Sequence, residues 1–183
     1  MSFFTNLWAG RDKEEDILSI VKKYFENSFI YENRIPGWGE DQINQDYEYN
    51  GKKYICPDIV TVGSDGVIIL RIEVKGIERL ETWKNELVVK MERRLFEKYL
   101  SLQREEEIPC TVIFSVGIAH GGNYEYYWKT LNEMSSLPKK YEYDEQYVSK
   151  KGNLKECVYW RISDFNKGIR SFTNHLEEIR DGW

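Results

Sequence analysis

The sequence predicts a single α/β domain with a mixed central sheet and helices on both faces, and three observations predict it. Segments with helical spacing of apolar residues alternate with strand-length apolar segments along 183 residues. One of the latter, CTVIFSVGIA over residues 110–119, is almost continuously apolar, as befits a strand covered on both faces and lying centrally. A chain of this length buries roughly two-thirds of its unfolded surface and needs no disulfides to hold one core.

The elements follow in order. Over residues 11–25, RDKEEDILSIVKKYF, the residues Ile17, Leu18, Val21, Tyr24 and Phe25 recur at helical spacing behind an acidic first turn. Residues 33–44, with a proline and two glycines among polar residues, read as a long loop. Residues 46–76 are rich in β-branched and aromatic side chains and are punctuated by Asn50-Gly51 and by Gly63-Ser64-Asp65-Gly66, which predicts three antiparallel strands. From 81 to about 103, Trp83, Leu87, Met91, Leu95, Tyr99 and Leu102 fall three or four apart and predict one long amphipathic helix that stops before Pro109. Beyond the central strand, a short helix is expected over 125–134, then a polar, tyrosine-rich stretch over 139–155. A last strand over 156–162 and a helical tail over 169–179 complete the chain.

The 41% hydrophobic and 31% charged composition is that of a globular protein, and no apolar run approaches the ~20 residues that cross a bilayer, so no membrane partner is expected. The N-terminal stretch lacks a basic segment followed by an apolar core, so no leader is read and the expected compartment is the cytoplasm. Cys56, Cys110 and Cys157 lie far apart beside apolar residues and read as buried free thiols. A net charge of -5 argues against coating nucleic acid by bulk electrostatics, although an acidic cluster is also what a metal site contributes before its cation arrives.

The chemistry concentrates in the hairpin over residues 55–76. With a two-residue turn at Ser64-Asp65, Asp58 stands opposite Arg71, and Arg71, Glu73 and Lys75 share its face, with Glu73 the diagonal neighbour at roughly 7 Å; a four-residue turn from Gly63 to Gly66 keeps the same parity. A three- or five-residue loop without a bulge would put the two carboxylates on opposite faces. Ile68, Ile69, Leu70, Ile72 and Val74 mark the second strand as largely buried, so charges there need a reason. A hard cation such as Mg²⁺ or Mn²⁺, which takes one or two carboxylates plus water and phosphate oxygens, supplies one.

Pro57-Asp58, fourteen intervening residues, then Glu73-Val74-Lys75 resembles the PD-(D/E)xK motif of the restriction-endonuclease-like superfamily. The order of elements over about residues 11–119 resembles that superfamily's plan too, while residues 120–183 are an elaboration without a match. The resemblance implies a restriction-endonuclease-like fold and a metal-dependent nuclease that hydrolyses phosphodiester bonds with Mg²⁺ or Mn²⁺. It implies Asp58 and Glu73 as metal ligands, the Val74 backbone carbonyl as an additional one, and Lys75 as the catalytic lysine. Many relatives add a Glu from the first helix; Glu14, three, four and seven residues before Ile17, Leu18 and Val21, borders the buried stripe and is the candidate, while Glu15 points elsewhere. The implied partner is nucleic acid, DNA ahead of RNA, and a homodimer would suit cutting both strands of a duplex. The alternative is a catalytically inactive module of the same fold that binds nucleic acid or a protein.

Other signals read as structural. Lys84, Lys90, Arg93, Arg94 and Lys98 are interleaved with Glu81, Glu86, Glu92 and Glu97, as on a solvated helix face, with Lys90 the one to reach the site if any does. His120 and His175 have no partner motif.

Overall fold

The computed structural model describes residues 3–31, 33–34, 43–44, 46–83, 85–117, 124–148 and 152–182. The chain opens with helix α1 (Phe3–Val21), then strands β1 (Ser28–Ile30), β2 (Asn33–Arg34), β3 (Ile43–Asn44), β4 (Asp46–Tyr49), β5 (Lys52–Ile55), β6 (Ile59–Val62) and β7 (Ile68–Ile77). It continues with β8 (Glu81–Trp83), β9 (Glu86–Glu92), α2 (Arg93–Glu106), β10 (Cys110–Val116), β11 (Glu125–Thr130) and α3 (Leu131–Ser136). The C-terminal part holds β12 (Lys140–Val148), β13 (Leu154–Arg161), β14 (Asn166–Lys167) and α4 (Ile169–Asp181).

The central sheet has the order β1-β6-β7-β10-β11-β14. It is mixed, because β7 and β10 run parallel while the other pairs are antiparallel. Alternation along β7 splits its side chains between two cores. Ile72 and Val74 face α1 and α4, packing with Ile17, Val21, Phe172 and Leu176. On the other side Val112 and Phe114 meet Phe96 and Tyr99 of α2, Met134 of α3, and the inner face of a second sheet, β12-β13-β9-β8. The fold class read from the sequence is therefore what the chain adopts: α/β, a mixed central sheet, helices on both faces. Each fully buried Ile, Leu or Phe in these layers contributes about 1.5–3 kcal/mol, which makes the sheet a stiff platform for the charged groups it carries.

β10 is buried along its whole length at the middle of the sheet, as its apolar run predicts. Several other elements differ from expectation. Residues 46–76 form four strands rather than three, since β4 and β5 pair around Asn50-Gly51 as their own two-stranded sheet; Asn50 and Gly51 both take positive φ there. The segment 81–103 is not one helix: β8 and β9 precede α2, which starts only at Arg93. Trp83, Leu87 and Met91 are spaced by four, and that spacing also keeps residues on one face of a strand, so periodicity alone did not separate the two; β-branched Val88 and Val89 side with the strand. Residues 125–134 are likewise split into β11 and a short α3, where Thr130 and Glu133 form a reciprocal capping box at the helix start. The tyrosine-rich stretch forms β12, paired with β13. α1 begins at Phe3, ahead of the expected start, and α4 matches the expected helical tail. Most of the loop over 33–44, together with Lys84, residues 118–119 of the predicted central strand and His120, lies outside the described residues. Among the described residues no helix is long and apolar enough to cross a membrane.

Candidate active site

The β6–β7 hairpin sets the site, and its turn is not the two-residue one expected. The Gly63 amide donates to the Val67 carbonyl at 2.7 Å, which closes a three-residue loop, and Gly66 takes φ +83°, which favours glycine. Left alone, such a loop would send Asp58 and Glu73 to opposite faces. A bulge corrects it: Val62 pairs with Ile68, but Thr61 pairs with Leu70, so Ile69 is the extra residue. Val60 then stands across from Arg71 and Ile59 across from Ile72. Continuing that register one step puts Asp58 opposite Glu73 rather than opposite Arg71, so the carboxylates are direct rather than diagonal neighbours on one face.

That face looks toward α2, because Glu73 and Lys75 align with Val112 and Phe114 of β10. Glu73 is 0% exposed and Asp58 6%, while the Lys75 side chain is 29% exposed and forms the site's opening to solvent. The Asp58 carboxylate accepts a hydrogen bond from the Val74 amide at 2.8 Å, and its own carbonyl accepts one from the Tyr31 amide at 2.7 Å. The Lys75 ammonium contacts Glu73 directly. Both Glu73 oxygens are buried without a well-formed hydrogen bond; their company is that ammonium and the Tyr99 hydroxyl from α2. Glu14 on α1 is half-buried and lies within electrostatic reach of Asp58. Asp58, Glu73 and Lys75 are thus neighbours, with Glu14 within electrostatic reach of the first.

Burial, followed by the Glu73 charge, raises the Asp58 pKa well above the carboxylate norm; Glu14 adds to this, and Lys75 and the Val74 amide oppose it. Burial and the same two carboxylates also raise the Tyr99 hydroxyl, which keeps it a donor. Because the folded pKa of Asp58 exceeds its unfolded one, the stability tied to this group is fully present below roughly pH 4 and declines as pH rises through the window above it. We expect Asp58→Asn to stabilise the metal-free protein at pH 7 and to flatten that decline. Thermal unfolding of both proteins between pH 4 and 8 checks this; a variant less stable than wild type at pH 7 contradicts it.

The donor set suits a hard divalent cation: two adjacent buried carboxylates, one with neither oxygen well hydrogen-bonded, are costly without positive charge. Among the described residues no group of three His, Cys, Asp or Glu side chains is gathered closely enough to hold a metal, so the carboxylates placed to meet a cation are the pair Asp58 and Glu73. Mg²⁺ keeps about that many and fills the remainder with water and phosphate oxygens.

Two residues, Tyr99 and Lys13, were not foreseen, nor were the partners of a third, Arg71. Tyr99 read as one more member of an apolar stripe, yet a tyrosine among Phe96 and Leu102 carries a hydroxyl that needs a partner. Arg71, expected to share the site's face, is 1% exposed and paired with Glu106 at the end of α2, with the Tyr47 ring 5.0 Å away. Lys13, beside Glu14, is buried against the sheet. Lys90, the residue favoured to reach the site from a helix, instead sits on β9 and pairs with Asp144 and Glu81. His175 stacks on Trp128 at 4.6 Å and pairs with Thr111, a packing role. The three cysteines are free and buried.

What this fold and site define is an α/β domain with a buried carboxylate pair and a lysine at the edge of solvent. No protein family matches the chain, and no curated protein does. Among solved structures it is similar to Hjc, a Holliday junction resolvase from the archaeal hyperthermophile Archaeoglobus fulgidus, with 17% identity over 90% of this chain and 95% of that one and a TM-score of 0.44. A likeness of that order says nothing about chemistry.

Proposed function

We propose that this protein is a Mg²⁺- or Mn²⁺-dependent nuclease that hydrolyses phosphodiester bonds of nucleic acid, DNA ahead of RNA. The observation that carries this reading is the direct opposition of Asp58 and Glu73 on the face that also carries Lys75, in the PD…ExK pattern. Asp58 and Glu73, with the Val74 carbonyl between them and the lysine, would hold the cation, and Glu14 would act from the rim. A bound divalent cation supplies Lewis-acid charge at the phosphoryl oxygens and lowers the pKa of water at neutral pH. Lys75, a compact point charge, orients the scissile phosphate and stabilises the negative charge that grows on it in the transition state. The Val74 amide holds the Asp58 carboxylate in place. The Tyr99 hydroxyl lies beside Glu73, whose oxygens stay available to a cation.

Purified protein is expected to cut at least one of labelled single- and double-stranded DNA and RNA with millimolar Mn²⁺ and none with a chelator. Mn²⁺ alone should also raise the melting temperature, since saturation at a hundred times Kd stabilises by about 2.7 kcal/mol. A melting temperature indifferent to Mn²⁺ together with no cleavage would instead support a module that binds without cutting.

A further inference from the structure

Lys13 is 3% exposed, and a buried ammonium is costly unless its hydrogens find partners. Its three hydrogens are all used, donated to the carbonyls of Ile77 at 3.2 Å, Ser115 at 3.3 Å and Gly117 at 3.0 Å. Those carbonyls close the C-terminal ends of β7 and β10, the parallel pair at the middle of the sheet. The Lys13 stem lies on Gly76, where an added Cβ would come 2.7 Å from Lys13 Cδ. Gly76, directly after Lys75, leaves room for the lysine stem, which a side chain there would push aside. The ring of Tyr124 lies 5.3 Å from the ammonium. Burial lowers the Lys13 pKa, and Glu78 partly offsets this.

The next residue is Glu14. Successive helix residues are turned by about 100°, so a helix whose Lys13 tip is tied at three points has its rotation and height fixed, and Glu14 is carried to a set place at the rim near Asp58. We infer that Lys13 is a positioning residue for Glu14, fastening α1 to the strand ends so that Glu14 completes the surroundings of the cation. This inference rests on the metal-dependent reading above.

Its test is a double-mutant cycle read by calorimetric Mn²⁺ titration of wild type, Lys13→Met, Glu14→Gln and the double variant, with melting temperatures alongside. Methionine keeps the stem's packing and removes the donors. Lys13→Met is expected to weaken Mn²⁺ binding by about 10–100-fold, the usual cost of losing an outer-shell partner, and Glu14→Gln by a similar factor. The double variant should bind no more weakly than Glu14→Gln alone. If the two factors multiply, or if Lys13→Met lowers the melting temperature with Mn²⁺ affinity unchanged, Lys13 is only a fold anchor and the inference is overturned while the nuclease reading stands. Should Lys13→Met not fold, Gly76→Ala takes its place in the cycle, because its Cβ displaces the lysine stem. A wild-type protein that does not bind Mn²⁺ would overturn the metal-dependent reading and this inference with it.

Discussion

Replacing Lys75 with alanine is expected to lower metal-dependent cleavage about a thousandfold or more while the protein stays folded. On the proposed nuclease reading the size follows from the loss of a positioned positive charge at the reacting phosphate, a type of contact whose removal costs about 10²–10³ by itself. The loss also frees Glu73 of the ammonium that touches it. The fold should tolerate the change, because the Lys75 side chain is the site's exposed member and packs into neither core. Lys75→Arg is expected to recover only part of the activity, since a planar fork replaces a compact point charge. Single-turnover cleavage with saturating Mn²⁺, beside melting temperatures, checks this. Activity within tenfold of wild type in a folded Lys75→Ala protein would sink the assignment of Lys75.

The second large effect concerns stability. Arg71 and Glu106 bury their charges against each other, with side-chain exposures of 1% and 3%, and Tyr47 and Cys56 close the surroundings of the guanidinium. Glu106→Ala leaves that guanidinium uncompensated and is expected to cost about 3–5 kcal/mol. For a domain of this size that is a drop of roughly 6–20 °C in melting temperature. Replacing both partners by apolar residues, as in Arg71→Met with Glu106→Leu, should recover most of the loss, because it removes the desolvation cost along with the attraction. Urea unfolding of the three variants measures this; a Glu106→Ala protein within 1 kcal/mol of wild type would show that water reaches the arginine.

The layered architecture was legible wherever one period dominated. Residues 110–119 read as a covered strand because a run of that length is almost continuously apolar, and Ile17 and Val21 as the inward stripe of a helix because they recur at its spacing. It was not legible over 81–92, where a spacing of four satisfies helix and strand alike, and pairing with β13 settled the matter. That pairing joins residues some seventy positions apart, which no local pattern encodes. Asp58, Glu73 and Lys75 were legible as a group because alternation along β7 and the buried run around them are local. Their relative placement was not, since the register depends on a bulge at Ile69 that no residue type announces. Tyr99 and Lys13 were hidden for a different reason: each sits in a stripe whose bulk is apolar, and its polar end meets a partner from another element.

The extra residue on β7 separates the site from the length of the surface turn that precedes it. The loop and the bulge each shift the pairing by one relative to a two-residue turn, so together they move it by two, which restores parity and brings Asp58 opposite Glu73 instead of Arg71. β7 is also held along its other edge by β10 and buried on both faces, so its side chains cannot change sides when the turn changes length. A residue added to or taken from the 63–67 turn is absorbed there, and removal of Ile69 straightens the strand with the Ile59–Ile72 pair kept. Loop-length variants of this hairpin should thus keep Asp58, Glu73 and Lys75 on one face.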